Sequence, residues 1–68
     1  PSALFVKGQL NGDTQVSLYD IQGRLVFQTA LDSTKTSNMI DLSNVNTGVY
    51  VVKVTNRNYV ESQKVVIH

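Results

Sequence analysis

A base, a nucleophile or a bound ion must come from a short inventory of side chains, and in these 68 residues the inventory is thin. The sole histidine, His68, is terminal here, and general base catalysis needs a positioned, oriented group, so it is not expected to serve as one. Ser43 has no Gly-x-Ser-x-Gly elbow around it and no histidine within reach of a strand pairing. Asp13, Asp20, Asp32, Asp41 and Glu61 fall mostly at the ends of expected strands. A calcium ion takes roughly six to eight oxygens, and Asn11-Gly12-Asp13 offers a turn's worth. With no cysteine there is no thiolate and no disulfide. The expectation is a non-catalytic chain with no cofactor and no metal.

The chemistry left is recognition. Tyr50 is of the type enriched at interface hot spots; the competing reading, which we favour, puts its ring in the core with the hydroxyl at the rim. Asp20 and Gly23 form either a recognised surface loop or plain turn chemistry, and the second is favoured. Lys64 sits between polar Gln63 and the apolar Val65-Val66-Ile67. An exposed cation there suits an acidic partner. Equally, it suits a solvated edge strand that a lysine protects from aggregation.

Composition narrows the partners. The formal charge is +1, and the basic residues Lys7, Arg24, Lys35, Lys53, Arg57 and Lys64 are scattered singly. A nucleic-acid footprint needs them clustered. No apolar run approaches the roughly 20 residues of a membrane span, and no charged segment leads into an apolar signal stretch. Membrane insertion and nucleic acid are therefore not expected. A chain this short buries only about 60% of its unfolded surface, so its stability is on the order of a few kcal/mol. It starts with Pro1, not Met. The expectation is one domain, residues 1–68, excised from a longer secreted protein.

Any recognised surface must be built on the elements that the pattern supplies. β-prone runs cover residues 3–7, 15–20, 24–31, 38–42, 49–55 and 59–67, with turn residues between them. No stretch has helical periodicity. Alternation puts Val16 with Leu18, Ile40 with Leu42, and Tyr50 with Val52 and Val54, while Val49, Val51 and Lys53 point the other way. The third run is ambiguous: Leu25, Phe27 and Leu31 line one side, Val26 and Ala30 the other. Asp20-Ile21-Gln22-Gly23 reads as a type I turn with Gly23 in the left-handed region. Leu10 to Asp13 reads as a second turn, and Asn56-Arg57-Asn58 as a third. Leu42 and Val45 suit one turn of 3₁₀ helix plugging the core, after which Gly48 bends the chain into the strand expected to be central. Short strands with turns about every 8–12 residues predict an all-β fold, an Ig-like antiparallel β-sandwich of about six to seven strands.

In this order and spacing, VSLYDIQGRLV (16–26), IDLSNVNTGVYVVKV (40–54) and QKVVI (63–67) resemble the C-terminal sorting domain, type A, of the type IX (Por) secretion system of Bacteroidota. The family pattern falls on Tyr19, Asp20, Gly23, Arg24 and Val26; on Ile40, Asp41, Leu42, Ser43, Gly48 and Tyr50; and on Lys64, Val65, Val66 and Ile67. The resemblance spans nearly the whole chain. It departs at Asn46-Thr47, where the family often has a proline, and at Pro1, where Asn-Pro is common. It implies a sorting signal for a cargo domain N-terminal to it in the same chain. The partners it implies are the type IX translocon and a sortase-like surface peptidase. It implies transit through the periplasm, then a cell-surface or secreted cargo, joined to anionic lipopolysaccharide or released after the domain is removed. Asp20, Gly23, Arg24, Gly48, Tyr50, Lys64, Val65, Val66 and Ile67 are the candidate recognition residues.

Two other classes compete. An accessory adhesive or carbohydrate-binding sandwich presents aromatics on a flat face, and the chain has only Phe5, Tyr19, Phe27, Tyr50 and Tyr59 for that. A passive structural repeat would sit anywhere in a longer protein. Free strand edges also offer a route to a dimer.

Overall fold

Six antiparallel strands follow one another in the computed structural model, which describes residues 3–7, 13–32, 34, 37–57 and 60–68, the stretch 4–7 through its backbone. They are β1 (Ala3–Lys7), β2 (Gln15–Asp20), β3 (Leu25–Ala30), β4 (Ser37–Asp41), β5 (Gly48–Thr55) and β6 (Val60–Ile67). The first two coincide with the expected runs, and the rest differ by a residue at one end (β5, β6) or at both (β3, β4), the usual fraying of element boundaries. Tyr59, Asn58 and the turn residues Leu10, Asn11 and Gly12 lie outside the described residues, as does the side chain of Phe5.

The strands form a four-stranded sheet in the order β3-β2-β5-β6 and a two-stranded sheet of β1 and β4. β5 is interior, as its apolar composition predicts. Val16, Leu18, Tyr50, Val52 and Ile67 from the larger sheet meet Ile40 of β4 and Leu42 just beyond it in one buried cluster. Phe27, Leu31, Val45, Val54 and Val65 pack around its edge. The two inner faces thus make a small β-sandwich. Each such side chain taken fully from water stabilises the fold by roughly 1.5–3 kcal/mol; for Val16, Leu18, Ile40, Leu42, Tyr50, Val52 and Val54 the inward alternation is the one read from the sequence.

The third run resolves through a β-bulge. Leu18 of β2 pairs with Phe27, but Tyr19 pairs with Leu25, so Val26 is the extra residue on β3. A bulge breaks the two-residue period. Phe27 goes to the core with Leu18, whereas Leu25 turns outward with Tyr19 and is 53% exposed. The expected grouping of Leu25 with Phe27 and Leu31 is corrected on this point.

Between β4 and β5 the Val45 N–H donates to the Leu42 carbonyl at 2.9 Å. This i to i+3 bond closes one four-residue turn of the 3₁₀ type, as expected. The plug itself is present: Leu42 is buried and Val45 packs against the core.

Candidate recognition surface

The hairpin between β2 and β3 is built around one carboxylate. Asp20 Oδ1 accepts from the N–H groups of Gln22 and Arg24, each at 2.9 Å, and Oδ2 accepts from Arg24 Nε at 2.9 Å. The Gly23 N–H donates to the Asp20 carbonyl at 3.0 Å. Gly23 has φ +84°, and among the described residues no other residue type has positive φ, so Ile21 and Gln22 take the negative values of a type I turn. The N–H of Arg24 is the main reason that the Asp20 carboxyl is held below its ordinary pKa, with the Arg24 side chain and the Gln22 N–H adding to it. The Arg24 side chain is otherwise largely in water, so this ion pair adds little stability by itself.

The entry to β5 is built around a ring. Tyr50 is buried, and its hydroxyl donates to the Asn46 carbonyl at 2.8 Å. Gly48, at φ +151°, lies beside that ring, about where a side chain would reach ordinary contact at 3.9 Å. Just upstream, Asp41 Oδ1 accepts from the Ser43 N–H at 2.9 Å, and that bond lowers the Asp41 pKa.

The last strand alternates. Val65 and Ile67 face the core, while Lys64 and Val66 are exposed. Pairing brings the three motifs to one end of the larger sheet. Asp20 of β2 stands opposite Tyr50 of β5, and Tyr50 stands opposite Val65 of β6. On either side of that row, Val51 faces Lys64, Val49 faces Val66 and Gly48 faces Ile67. Residues 16–26, 40–54 and 63–67 are far apart in the chain, yet they form one connected patch.

A family model described as the secretion system C-terminal sorting domain matches residues 1–68. The chain belongs to this family. No curated protein matches it. The sorting domain is a C-terminal sorting signal for type IX secretion, which favours that reading over an adhesive or carbohydrate-binding module. It acts with the type IX machinery on a cargo N-terminal to it, and the destination is the cell surface or the exterior.

Within the sorting domain, the motif residues divide by position. Gly48, Tyr50, Val65 and Ile67 shape the interior end of the sheet. Asp20 and Gly23 shape its hairpin. Arg24, Lys64 and Val66 present side chains to solvent. Among the described residues, no group of three or more His, Cys, Asp or Glu is placed to hold a metal ion. Two polar features escaped the sequence reading. Asn46 supplies the acceptor for Tyr50. Asn38, buried on β4, accepts from the Asp32 N–H at 2.9 Å and donates to the Asp32 carbonyl at 3.2 Å. The inward spacing of Asn38, Ile40 and Leu42 was the available signal, since a buried amide must find partners.

Proposed function

We propose that the type IX translocon reads this domain in its folded state, after passage through the periplasm, and that a sortase-like surface peptidase then removes it. The cargo is left joined to anionic lipopolysaccharide or released. On this reading the chain is the end domain of a longer secreted protein, type A within its family, from a member of the Bacteroidota. The meeting of three separated motifs in one cross-strand row carries the reading, because only the folded sheet assembles them. Arg24, Lys64 and Val66 serve recognition by their exposed side chains. Asp20, Gly23, Gly48, Tyr50, Val65 and Ile67 serve it by fixing the end of the sheet that presents them.

A secretion assay tests this. A signal peptide and a fluorescent reporter are placed ahead of the chain, in a host with the type IX machinery and in one lacking the translocon. The expected result is reporter outside the first host and in the periplasm of the second. Reporter retained by both hosts would refute the reading. Intact export after Lys64→Ala, or after removal of Val65, Val66 and Ile67, would refute the part assigned to the last strand.

A further inference from the structure

The run Val49-Tyr50-Val51-Val52 is apolar at every position. Such runs belong to strands covered on both faces, whereas an antiparallel strand in a small sandwich usually alternates apolar and polar. β5 is covered on one face. Tyr50 and Val52 enter the core, while Val49 and Val51 point outward. Their neighbours on that outer face follow from the register. Val49 stands opposite Val66, and Val51 opposite Tyr19, which in turn stands opposite Leu25. Opposed side chains on one face lie about 4.5–5.5 Å apart, so Tyr19, Leu25, Val49, Val51 and Val66 form one continuous apolar surface across all four strands of the sheet. Leu25, Val49 and Val66 are 53%, 42% and 51% exposed. A connected apolar surface of this kind marks a binding site, unlike apolar residues scattered singly. The bulge at Val26 contributes by re-aiming Leu25 onto this face.

The rim has one sign of charge. Lys64 stands opposite Val51, and Lys53 stands between Ser17 and Ser62. Among the described strand positions on this face no carboxylate occurs; Glu61 pairs with Val54 on the inner side, and Asp20 with Tyr50. A second copy is disfavoured as the occupant, because a twofold contact sets the same face against itself and so brings lysines toward lysines. Complementarity instead asks for an apolar centre with acidic residues around it.

We propose that the outer face of the β3-β2-β5-β6 sheet, centred on Val49, Val51 and Val66, is the docking surface for an apolar, acid-rimmed protein surface of the export machinery. This rests on the sorting reading above and names the surface through which it works. Lys64 and Lys53 steer and orient the approach. The apolar centre supplies the affinity.

The test uses the reporter fused ahead of the 68-residue chain, in the host with type IX machinery. Val49→Glu together with Val66→Glu places two carboxylates on the face and leaves every core residue in place. The expected result is a fall in exported reporter of about tenfold or more, in line with loss of interface anchors, with an unchanged urea midpoint for the purified fusion. Should that variant unfold, Val49→Thr with Val66→Thr keeps the branched shape and still strips the apolar centre, so its export must fall as well. Lys64→Glu must slow export, and Lys64→Arg must restore it. If the parent fusion is exported and both double variants match it, the face is not the docking surface, while the sorting reading stands. If the parent fusion itself stays inside, the sorting reading falls and takes this inference with it. Two further outcomes overturn the proposal in favour of another occupant. One is a dimer in sedimentation that Val49→Glu/Val66→Glu dissolves. The other is binding to phosphatidylglycerol vesicles that the same change abolishes.

Discussion

The Tyr50 hydroxyl donates a 2.8 Å hydrogen bond to the backbone carbonyl of Asn46, four residues back along the chain. The ring lies in the core while the bond ties down the loop that leads into β5. One side chain thus joins two tasks, filling the end of the sandwich and fixing the path of the Asn46–Gly48 turn.

Tyr50→Phe separates those tasks. The ring stays and the bond goes, at a cost of about 1 kcal/mol for a neutral hydrogen bond. In a domain of this size that lowers the melting temperature by about 4–8 °C. Tyr50→Ala also empties the core position and costs about 3–5 kcal/mol, comparable with the whole stability of so short a chain. Urea unfolding of both variants checks the ranking: the first folds, and the second is largely unfolded at room temperature.

The two lowered carboxyls predict an acid limb. Asp20 and Asp41 have folded pKa values below the ordinary 3.8, from the N–H bonds of Arg24 and Ser43 respectively. A depressed carboxyl contributes stability that is fully present above its unfolded pKa and is lost as pH falls through the folded one. The melting temperature is therefore flat with respect to these groups from neutrality down to about pH 5 and declines below about pH 4. Asp20→Asn retains an oxygen for the Gln22 and Arg24 N–H groups but cannot ionise, so its decline is shallower. Melting curves across that range compare the two slopes, and equal slopes would remove Asp20 from the account.

Among the described residues, the positive-φ glycines Gly23 and Gly48 differ in what a substitution meets. At Gly23, φ +84°, an added Cβ has nothing within 4 Å, so the cost is backbone conformation alone. Asn tolerates that region, so Gly23→Asn is close to neutral, whereas Gly23→Val costs about 1–2 kcal/mol. Gly48, at φ +151°, is in a region that L residues rarely adopt, and Gly48→Ala costs about 1–3 kcal/mol of strain although the Tyr50 ring leaves room for the methyl group. Denaturant midpoints should order Gly23→Asn above both Gly23→Val and Gly48→Ala.

What was legible in the sequence depended on how local its cause was. The strands β1 and β2 emerge residue for residue because β-prone runs and turn residues are local signals. The Asp20–Gly23 turn emerges because one carboxylate and one glycine define it. The facing of β3 did not emerge, since the bulge at Val26 is set by pairing with β2 and leaves no mark in residues 24–31 themselves. The order of the three motifs is visible in the chain, but their meeting in the Asp20–Tyr50–Val65 row is a matter of register. The outward valines of β5 were read as a face, yet only the pairing shows that Tyr19, Leu25 and Val66 extend it.

Asn38 gives the most specific test of buried polar design. Its amide bonds both the N–H and the carbonyl of Asp32, which pins the chain leaving β3 to β4. Asn38→Ala removes both bonds inside a buried site and costs about 1–3 kcal/mol. Asn38→Asp is nearly the same shape. The introduced carboxylate still accepts from the Asp32 N–H, but its second oxygen now faces the Asp32 carbonyl, acceptor against acceptor. Protonation turns that oxygen back into a donor, so the folded state favours the neutral acid and raises its pKa. A raised carboxyl destabilises the fold at neutral pH and is relieved as pH falls. The gap in melting temperature between wild type and Asn38→Asp therefore narrows from pH 7 toward pH 5, before the acid limb of Asp20 and Asp41 begins, whereas the gap for Asn38→Ala stays constant. A gap for Asn38→Asp that is independent of pH would mean that the Asp32 carbonyl does not face the introduced group.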